Sequence, residues 1–262
     1  MKLNTFLSIT VALLLLTLAA TAQKTELRIG GSYYFPKEKV KPLADYFESK
    51  MDVKCTTVDF ASTKELNAKL KSGEIDLAFL NPYSYVLARE VAVHVEPLVV
   101  LGDAQGPYTY KSCIIANADA GIGTMEEMVK KSQELDFKFV HATSTSGHIV
   151  PRFHMKNFGM DQVEGHFHSV SFAGSHENSI MQVKNGDAHV GACGLPDIKY
   201  ALDQGLIQEG DIKILWKSHD ITGSPLVAQT NLDPQVKQGI IDLMTNLHTG
   251  NPIRSEEHTS EL

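Results

Sequence analysis

The chain has 262 residues, 43% of them hydrophobic and 21% charged, with a formal charge of −7 at neutral pH. That length accommodates one large α/β domain or two modest ones, and an acidic chain without a basic stripe is a poor match for nucleic acid or an anionic membrane. Three cysteines, Cys55, Cys113 and Cys193, cannot all pair and fit no metal spacing; buried free thiols are expected, with a Cys113–Cys193 bridge as the alternative in an oxidising compartment.

Met1-Lys2, the apolar run Phe6–Ala20 and the small residues Ala20-Thr21-Ala22 read as a secretory signal peptide cleaved after Ala22. The run is short for a membrane span. Strand-like and helix-like patterns then alternate. Glu26–Ile29 is a strand, Val40–Met51 has helical apolar spacing, and Val53–Val58 alternates as a strand. Ser62–Ser72 reads as a capped helix, Ile75–Leu80 as a short buried strand, Asn81-Pro82 as a loop and Tyr83–Glu90 as another helix.

The pattern repeats. Cys113–Ile115 is a strand, and Thr124–Leu135 a helix opened by a capping box of Thr124 and Glu127. The strand Phe137–Val140 runs into Thr143-Ser144-Thr145-Ser146-Gly147, followed by Pro151 and a helix continuing through Phe153–Phe158. Strand, hydroxyls, glycine and helix start form a way to hold an anion. The first helical turn leaves N–H groups unpaired at the positive end of the helix dipole, hydroxyls add donors, and Gly147 admits close approach to the backbone. An ordinary Ser/Thr helix cap is the other reading. His166–Val170 is expected as a strand carrying His166 and His168 on one face, Ser175–Asn185 as a helix, and His189–Ala192 and Ile212–Trp216 as strands. The turn Thr222–Pro225 and the helix Val236–Leu247 complete the pattern. Alternating strands and helices argue for mainly parallel sheets with ligands outside the carboxyl ends of the strands.

The last nine residues, from Arg254 to Leu262, match the translation of a common sequencing-adapter oligonucleotide, so native sequence is expected to end near Ile253. Setting aside Lys2 and the tail's one Arg and three Glu leaves a charge of −6. Any bound anion must then be held by local dipoles.

From Leu27 to Asn251 the chain resembles the phosphate/phosphite/phosphonate-binding periplasmic proteins of ABC importers. The residues that carry the likeness are Ser144–Pro151, Ala173–Asn178, Gly186–Gly191, Ile214–Ser218 and Gly223–Pro225. The resemblance implies a two-lobed, type II periplasmic binding protein of the α/β class. Each lobe would be a mainly parallel sheet flanked by helices, with the cleft between lobes. It divides the chain into a signal peptide at 1–22, the first part of lobe 1 at 23–110, lobe 2 at 111–217, a return to lobe 1 at 218–253, and the tail at 254–262. It implies that Ser144, Thr145, Ser146 and Gly147 hold the phosphorus oxygens, with His176 and the hinge-strand Tyr110 donating to the same group. Family members that bind aminoalkyl phosphonates place carboxylates where Pro196 and Ser224 stand here; Asp197 is a neighbour and not a match. A family tyrosine aligns with Phe60, and Tyr83 or Asn81 could replace its donor, although a core or capping role for both stays open. These departures favour phosphite, methylphosphonate, another small phosphonate or phosphate over an aminoethyl compound.

The expected partner is an inner-membrane ABC permease, the expected protein a periplasmic monomer without cofactor or enzyme activity. A sensor-associated binding protein for another oxyanion or a small carboxylate is the alternative. The 11 histidines raise a third reading, a metal-binding protein, but no HxxxH or HExxH helix is present. Ser144 with His176 has no nucleophile elbow and no third member to make it a catalytic triad.

Overall fold

The computed structural model describes residues 26–31, 37–91, 94–103, 106–247. The expected signal peptide and the expected non-native tail lie outside the described residues.

Two five-stranded sheets organise the molecule. The first has strands in the order β2 (Lys54–Val58), β1 (Glu26–Gly30), β3 (Leu77–Phe79), β14 (Pro225–Gln229), β4 (Val95–Val100). The second has β10 (Ser169–Phe172), β9 (Asp136–Phe139), β11 (Val190–Gly194), β8 (Ser112–Asn117), β12 (Ile212–Lys217). β1 pairs parallel with β2 and β3, and β9 parallel with β10 and β11. β14 runs antiparallel to β3 and β4, as β8 does to β11 and β12. Four strands of each sheet therefore share one direction, while half of the pairings are antiparallel. The opposed strand is in each case the one that enters directly from the other sheet. Between the sheets, the short strands β5 (Gly102–Asp103) and β6 (Gly106–Pro107) pair together, and β7 (Thr109–Tyr110) pairs with β13 (Ile221–Thr222) as a two-stranded ribbon at the crossing.

Both sheets are covered on both faces, which their alternating side chains require. Along β8, Ile114 and Ala116 join one buried cluster with Phe137, Phe139 and Met128, while Cys113 and Ile115 join another with Ile180, Val183 and Ile198. In the first sheet Leu27, Ile29, Leu77 and Phe79 pack under α1 (Lys37–Lys50) with Val40 and Phe47, whereas Ala78, Leu80 and Val227 pack with Leu66 and Leu70 of α2 (Thr63–Ser72).

Local chemistry fixes the helix starts. Ser62 accepts from Glu65 N at 3.2 Å, and Asn81, at the head of α3 (Pro82–Glu90), accepts from Ser84 N at 2.9 Å. Thr124 accepts from Glu127 N at the start of α4 (Met125–Lys131); Glu127 reaches back one residue further than a simple capping box, to Gly123 N at 2.6 Å. α6 (His176–Asn185) starts at Ser175 and α8 (Pro234–Thr245) at Asp233.

Three readings change and a fourth holds. The strand expected at His166–Val170 begins at Ser169, so His166 and His168 do not share a strand face; Val163–Gly165 forms a 3-10 turn before it. Leu195–Asp203, unassigned in the sequence, is a helix, α7, started by Pro196 in its first turn. Pro225 heads a sheet strand and does not merely close a turn; it is paired with Val100 of β4. Cys113 and Cys193 face each other across β8 and β11 as free thiols, which keeps the bland cysteine reading.

Candidate functional site

The parallel strands deliver their carboxyl ends to the space between the sheets. β9 leads into the segment from Val140 to Ser146, β10 into Ala173–Ser175, β11 into Gly194–Asp197, β2 into Phe60, and β3 into Asn81.

The hydroxyl segment starts with a wide turn. Thr145–Ile149 is a single π-helical turn ahead of α5 (Val150–Met155), with Ile149 N donating to Ser144 O at 3.1 Å. Ser144 Oγ accepts from Gly147 N at 2.9 Å, and Val140 N donates to Gly147 O at 2.9 Å. Gly147 thus has both backbone groups engaged within the turn. A Cβ on Gly147 would lie 2.2 Å from Val140 Cγ2. Packing against Val140, just after β9, by itself requires a glycine here.

Tyr110 reaches this turn from the hinge ribbon, close enough for the side chains of Ser146 and Thr145 to favour its ionised form. Burial raises its phenol above the usual tyrosine range. Thr145 Oγ1 donates to Asn81 Oδ1 at 3.0 Å and accepts from Tyr83 N at 3.0 Å. Ser112 Oγ donates to Ser146 O at 2.6 Å and anchors the turn on β8. Thr63 Oγ1 and Thr143 Oγ1 lie 3.0 Å apart, a second bridge between the two sheets' rims.

His176, the first residue of α6, is 5% exposed. Gly194 N donates to its Nδ1 at 2.9 Å, which places the ring proton on Nε2. Burial lowers its pKa to about 4, so the imidazole is neutral and a hydrogen-bond donor near pH 7. Asp197 Oδ2 lies 3.2 Å from the same Nδ1. Burial raises the Asp197 carboxyl to about 7, and its charge is felt at Tyr110. Neither composition nor motif pointed to Asp197 as a member of this cluster. The proline in the first turn after β11 was the available signal, because it sets a helix start whose third residue folds back.

The structure thus brings Tyr110 near Thr145 and Ser146, ties Asn81 and Tyr83 to Thr145, and sets His176 beside Asp197. Tyr83 contributes its backbone N–H to this contact. Phe60 packs with Val58 and Tyr85 on the core of the first sheet. Ser224 is half-buried on the link between β13 and β14. His141, next to the turn, is held at about pKa 4, first by burial and then by His176 and His148. Among the described residues no group of three or more His, Cys, Asp or Glu is placed to hold a metal ion, and no helix is long and apolar enough to cross a membrane.

Comparison with known proteins agrees with this architecture. The phosphate-import protein PhnD of Mycolicibacterium smegmatis is 29% identical over 230 residues, covering 84% of this chain and 68% of that protein. The phosphonates-binding periplasmic protein of Escherichia coli is 23% identical over 210 residues, covering 80% of this chain and 61% of that protein. The chain thus spans roughly two thirds of the length of these relatives. The Prochlorococcus marinus protein PhnD1, solved in complex with methylphosphonate, shares the fold with a TM-score of 0.71 at 19% identity, covering 91% of this chain and 89% of that one. A model of the family described as ABC transporter, phosphonate, periplasmic substrate-binding protein matches residues 36–261. With a match across most of its length, the chain belongs to the family of phosphonate periplasmic substrate-binding proteins of ABC transporters.

Proposed function

We propose that this protein is the extracytoplasmic solute-binding component of an ABC importer and that it captures a small phosphorus oxyanion. Phosphite, methylphosphonate, another small phosphonate and phosphate are the candidate ligands. The observation that carries the reading is the convergence of Tyr110, Thr145 and Ser146 at a helix start, on the same rim as the neutral donor His176. A tetrahedral oxyanion has several acceptor oxygens, and leaving one unpaired costs about 1–3 kcal/mol. Hydroxyls, first-turn N–H groups and an imidazole N–H satisfy such oxygens without a formal positive charge.

Ser144, Ser146, Tyr110 and His176 are the proposed side-chain donors, Thr145 contributes its backbone N–H because its hydroxyl proton goes to Asn81, Gly147 shapes their turn, and Asn81, Tyr83 and Phe60 close the site from the first sheet. Ser224 and Pro196, which cannot carry a charge, support a ligand without an ammonium group. The proposed lobe division, 23–110 with 218–253 against 111–217, is supported by the sheets, whose strands come from 26–100 with 225–229 and from 112–217. Bridges such as Thr145 to Asn81 make closure and ligand capture one event. An inner-membrane permease is the partner, and the protein acts as a periplasmic monomer without turning its ligand over.

Thermal unfolding of the purified protein with phosphite, methylphosphonate, phosphate, sulfate and aminoethylphosphonate tests this. A ligand at about a hundred times its dissociation constant adds about 2.7 kcal/mol. A shift with a small phosphorus oxyanion, lost in Ser146→Ala and His176→Ala, is the expected result. No shift in a folded sample, or much tighter binding of aminoethylphosphonate than of the others, refutes it.

A further inference from the structure

His148 lies inside the π-helical turn, buried, with both ring nitrogens engaged. Nδ1 is 2.8 Å from Ala142 O, and Nε2 is 3.0 Å from Arg152 Nε. A carbonyl only accepts and a guanidinium only donates, so Nδ1 carries the ring proton and Nε2 is the acceptor. Two separate contacts thus assign one tautomer, the opposite of the one at His176. Beyond His148, Arg152 donates Nη1 to Glu164 Oε2 at 3.0 Å and Nη2 to Glu164 Oε1. The aromatic ends of two strands fix the plane of the imidazole. Phe139, the last residue of β9, and Phe172, the last of β10, meet it edge-on, with ring centres 4.8 and 5.2 Å away. The Arg152 guanidinium lies 4.9 Å over the same Phe139 ring.

We propose that His148 and Arg152 are positioning residues of the oxyanion site: a chain of hydrogen bonds from Glu164 through Arg152 and His148 to the Ala142 carbonyl sets the shape of the donor turn before a ligand arrives. This rests on the reading of that turn as a phosphorus-oxyanion site. Each side chain acts through the next group in the chain, and the last link acts through the backbone.

Ala142 is exposed and lies between the end of β9 and the hydroxyls. From further along the turn, His148 ties down the Ala142 carbonyl and closes a loop around Thr143, Ser144, Thr145 and Ser146. Within that loop Thr143 meets Thr63, at the start of α2, at 3.0 Å, and Thr145 meets Asn81. The same link therefore holds both the donors and the residues that touch the first sheet. A turn held in this way presents its donors with little reorganisation on binding, and groups ordered beforehand lose less entropy to the ligand. The imidazole suits the link because it is rigid and neutral: burial lowers its pKa below the usual histidine range, which keeps Nε2 open to Arg152. Hydrogen bonds from Arg152 draw the Glu164 carboxyl down to about 2, so the guanidinium stays charge-paired.

Nitrogen-15 NMR of the ligand-free wild type at neutral pH tests the chain directly. His148 should show its proton on Nδ1, and a proton on Nε2 overturns the proposal. Titration calorimetry with phosphite, methylphosphonate and phosphate tests the effect on binding. An Asn amide stands where imidazole Nδ1 does and can donate to Ala142 O, whereas a Gln amide stands where Nε2 does. His148→Gln, which can still accept from Arg152 but no longer ties down Ala142, should weaken the ligand roughly two- to tenfold, the worth of one neutral hydrogen bond. His148→Asn should recover most of that loss, and Arg152→Met should weaken the ligand by a similar factor to His148→Gln. A merely structural tie between α5 and the Val163–Gly165 turn would lower the melting temperature of both His148 variants alike and leave affinity unchanged. Wild-type affinity in folded His148→Gln and Arg152→Met overturns the proposal and leaves the oxyanion reading intact, as does a His148→Asn that binds no tighter than His148→Gln. A wild type that binds none of the three anions overturns the functional reading itself, and this proposal with it.

Discussion

The two rims that face each other across the cleft are built from different chemistry. The rim of the second sheet is densely polar and buried: Ser144, Thr145, Ser146 and His176 are each at most 7% exposed. The rim of the first sheet offers Phe60, packed on its own core, and the capped start of α3, whose Asn81 and Tyr83 N touch Thr145. One rim therefore presents the donors an oxyanion needs, and the other latches onto that rim. The difference follows from where helices start. In the second sheet the hydroxyls sit in the helix-opening turn itself, whereas in the first sheet the opening residues Asn81 and Pro82 cap the helix and shape the backbone.

The largest break in this comparison should come from Gly147→Ala. Its Cβ would collide with Val140, and overpacking of this kind costs about 1–3 kcal/mol. Differential scanning calorimetry should show that loss, with the ligand-induced shift abolished because the turn is displaced. Removing single donors should be milder. Tyr110→Phe or Ser146→Ala should weaken the ligand by about 1–3 kcal/mol, roughly five- to a hundredfold in dissociation constant, read by titration calorimetry. Unchanged affinity in both would move the donor role elsewhere.

Acid should act on the second rim. His176 keeps a folded pKa of about 4 against an ordinary value of 6.5, so the unfolded chain takes up a proton that the folded one refuses. Stability should then fall as the pH drops from about 6.5 to 4, by about 1 kcal/mol per pH unit from this residue; His141, also at about 4, acts in the same direction. Asp197 acts oppositely, because its raised pKa lets the folded state hold a proton between about 4 and 7. Asp197→Asn should therefore steepen the acid loss in urea-melt midpoints, and a shallower curve would contradict this sign. On the latch side, Asn81→Ala removes the acceptor of the Thr145 hydroxyl and should reduce ligand affinity by about 0.5–1.5 kcal/mol. It also deletes a helix cap, costing about 1 kcal/mol of stability. The smallest effect on binding is expected from Phe60→Leu, which should lower the melting temperature slightly and leave ligand preference unchanged.

Much of the fold was legible in the sequence because local rules and long-range packing agreed there. The capped helices at Ser62, Thr124 and Ser175 carry their own start signals, β9 reads as an apolar run, and β1 and β2 read as strands. The misread stretch around His166 and His168 had alternating residues, but tertiary packing placed the strand three residues later, where it pairs with β9. α7 was missed because Gly194-Leu195-Pro196 resembles a loop until Pro196 is seen as a first-turn residue.

By itself, the sequence determined an α/β chain with a hydroxyl-rich helix start, since periodicity, caps and proline act over a few residues. Likeness to a family added the expectation that Tyr110 and His176 donate to the ligand. Only the tertiary structure decided that Gly147 is demanded by Val140, that Thr145 is shared with Asn81 and Tyr83, and that Asp197 folds back onto His176. The last two are contacts between strand ends far apart along the chain. Which strand ends meet is set by how two sheets, each completed by a strand from the other, bring their carboxyl edges together.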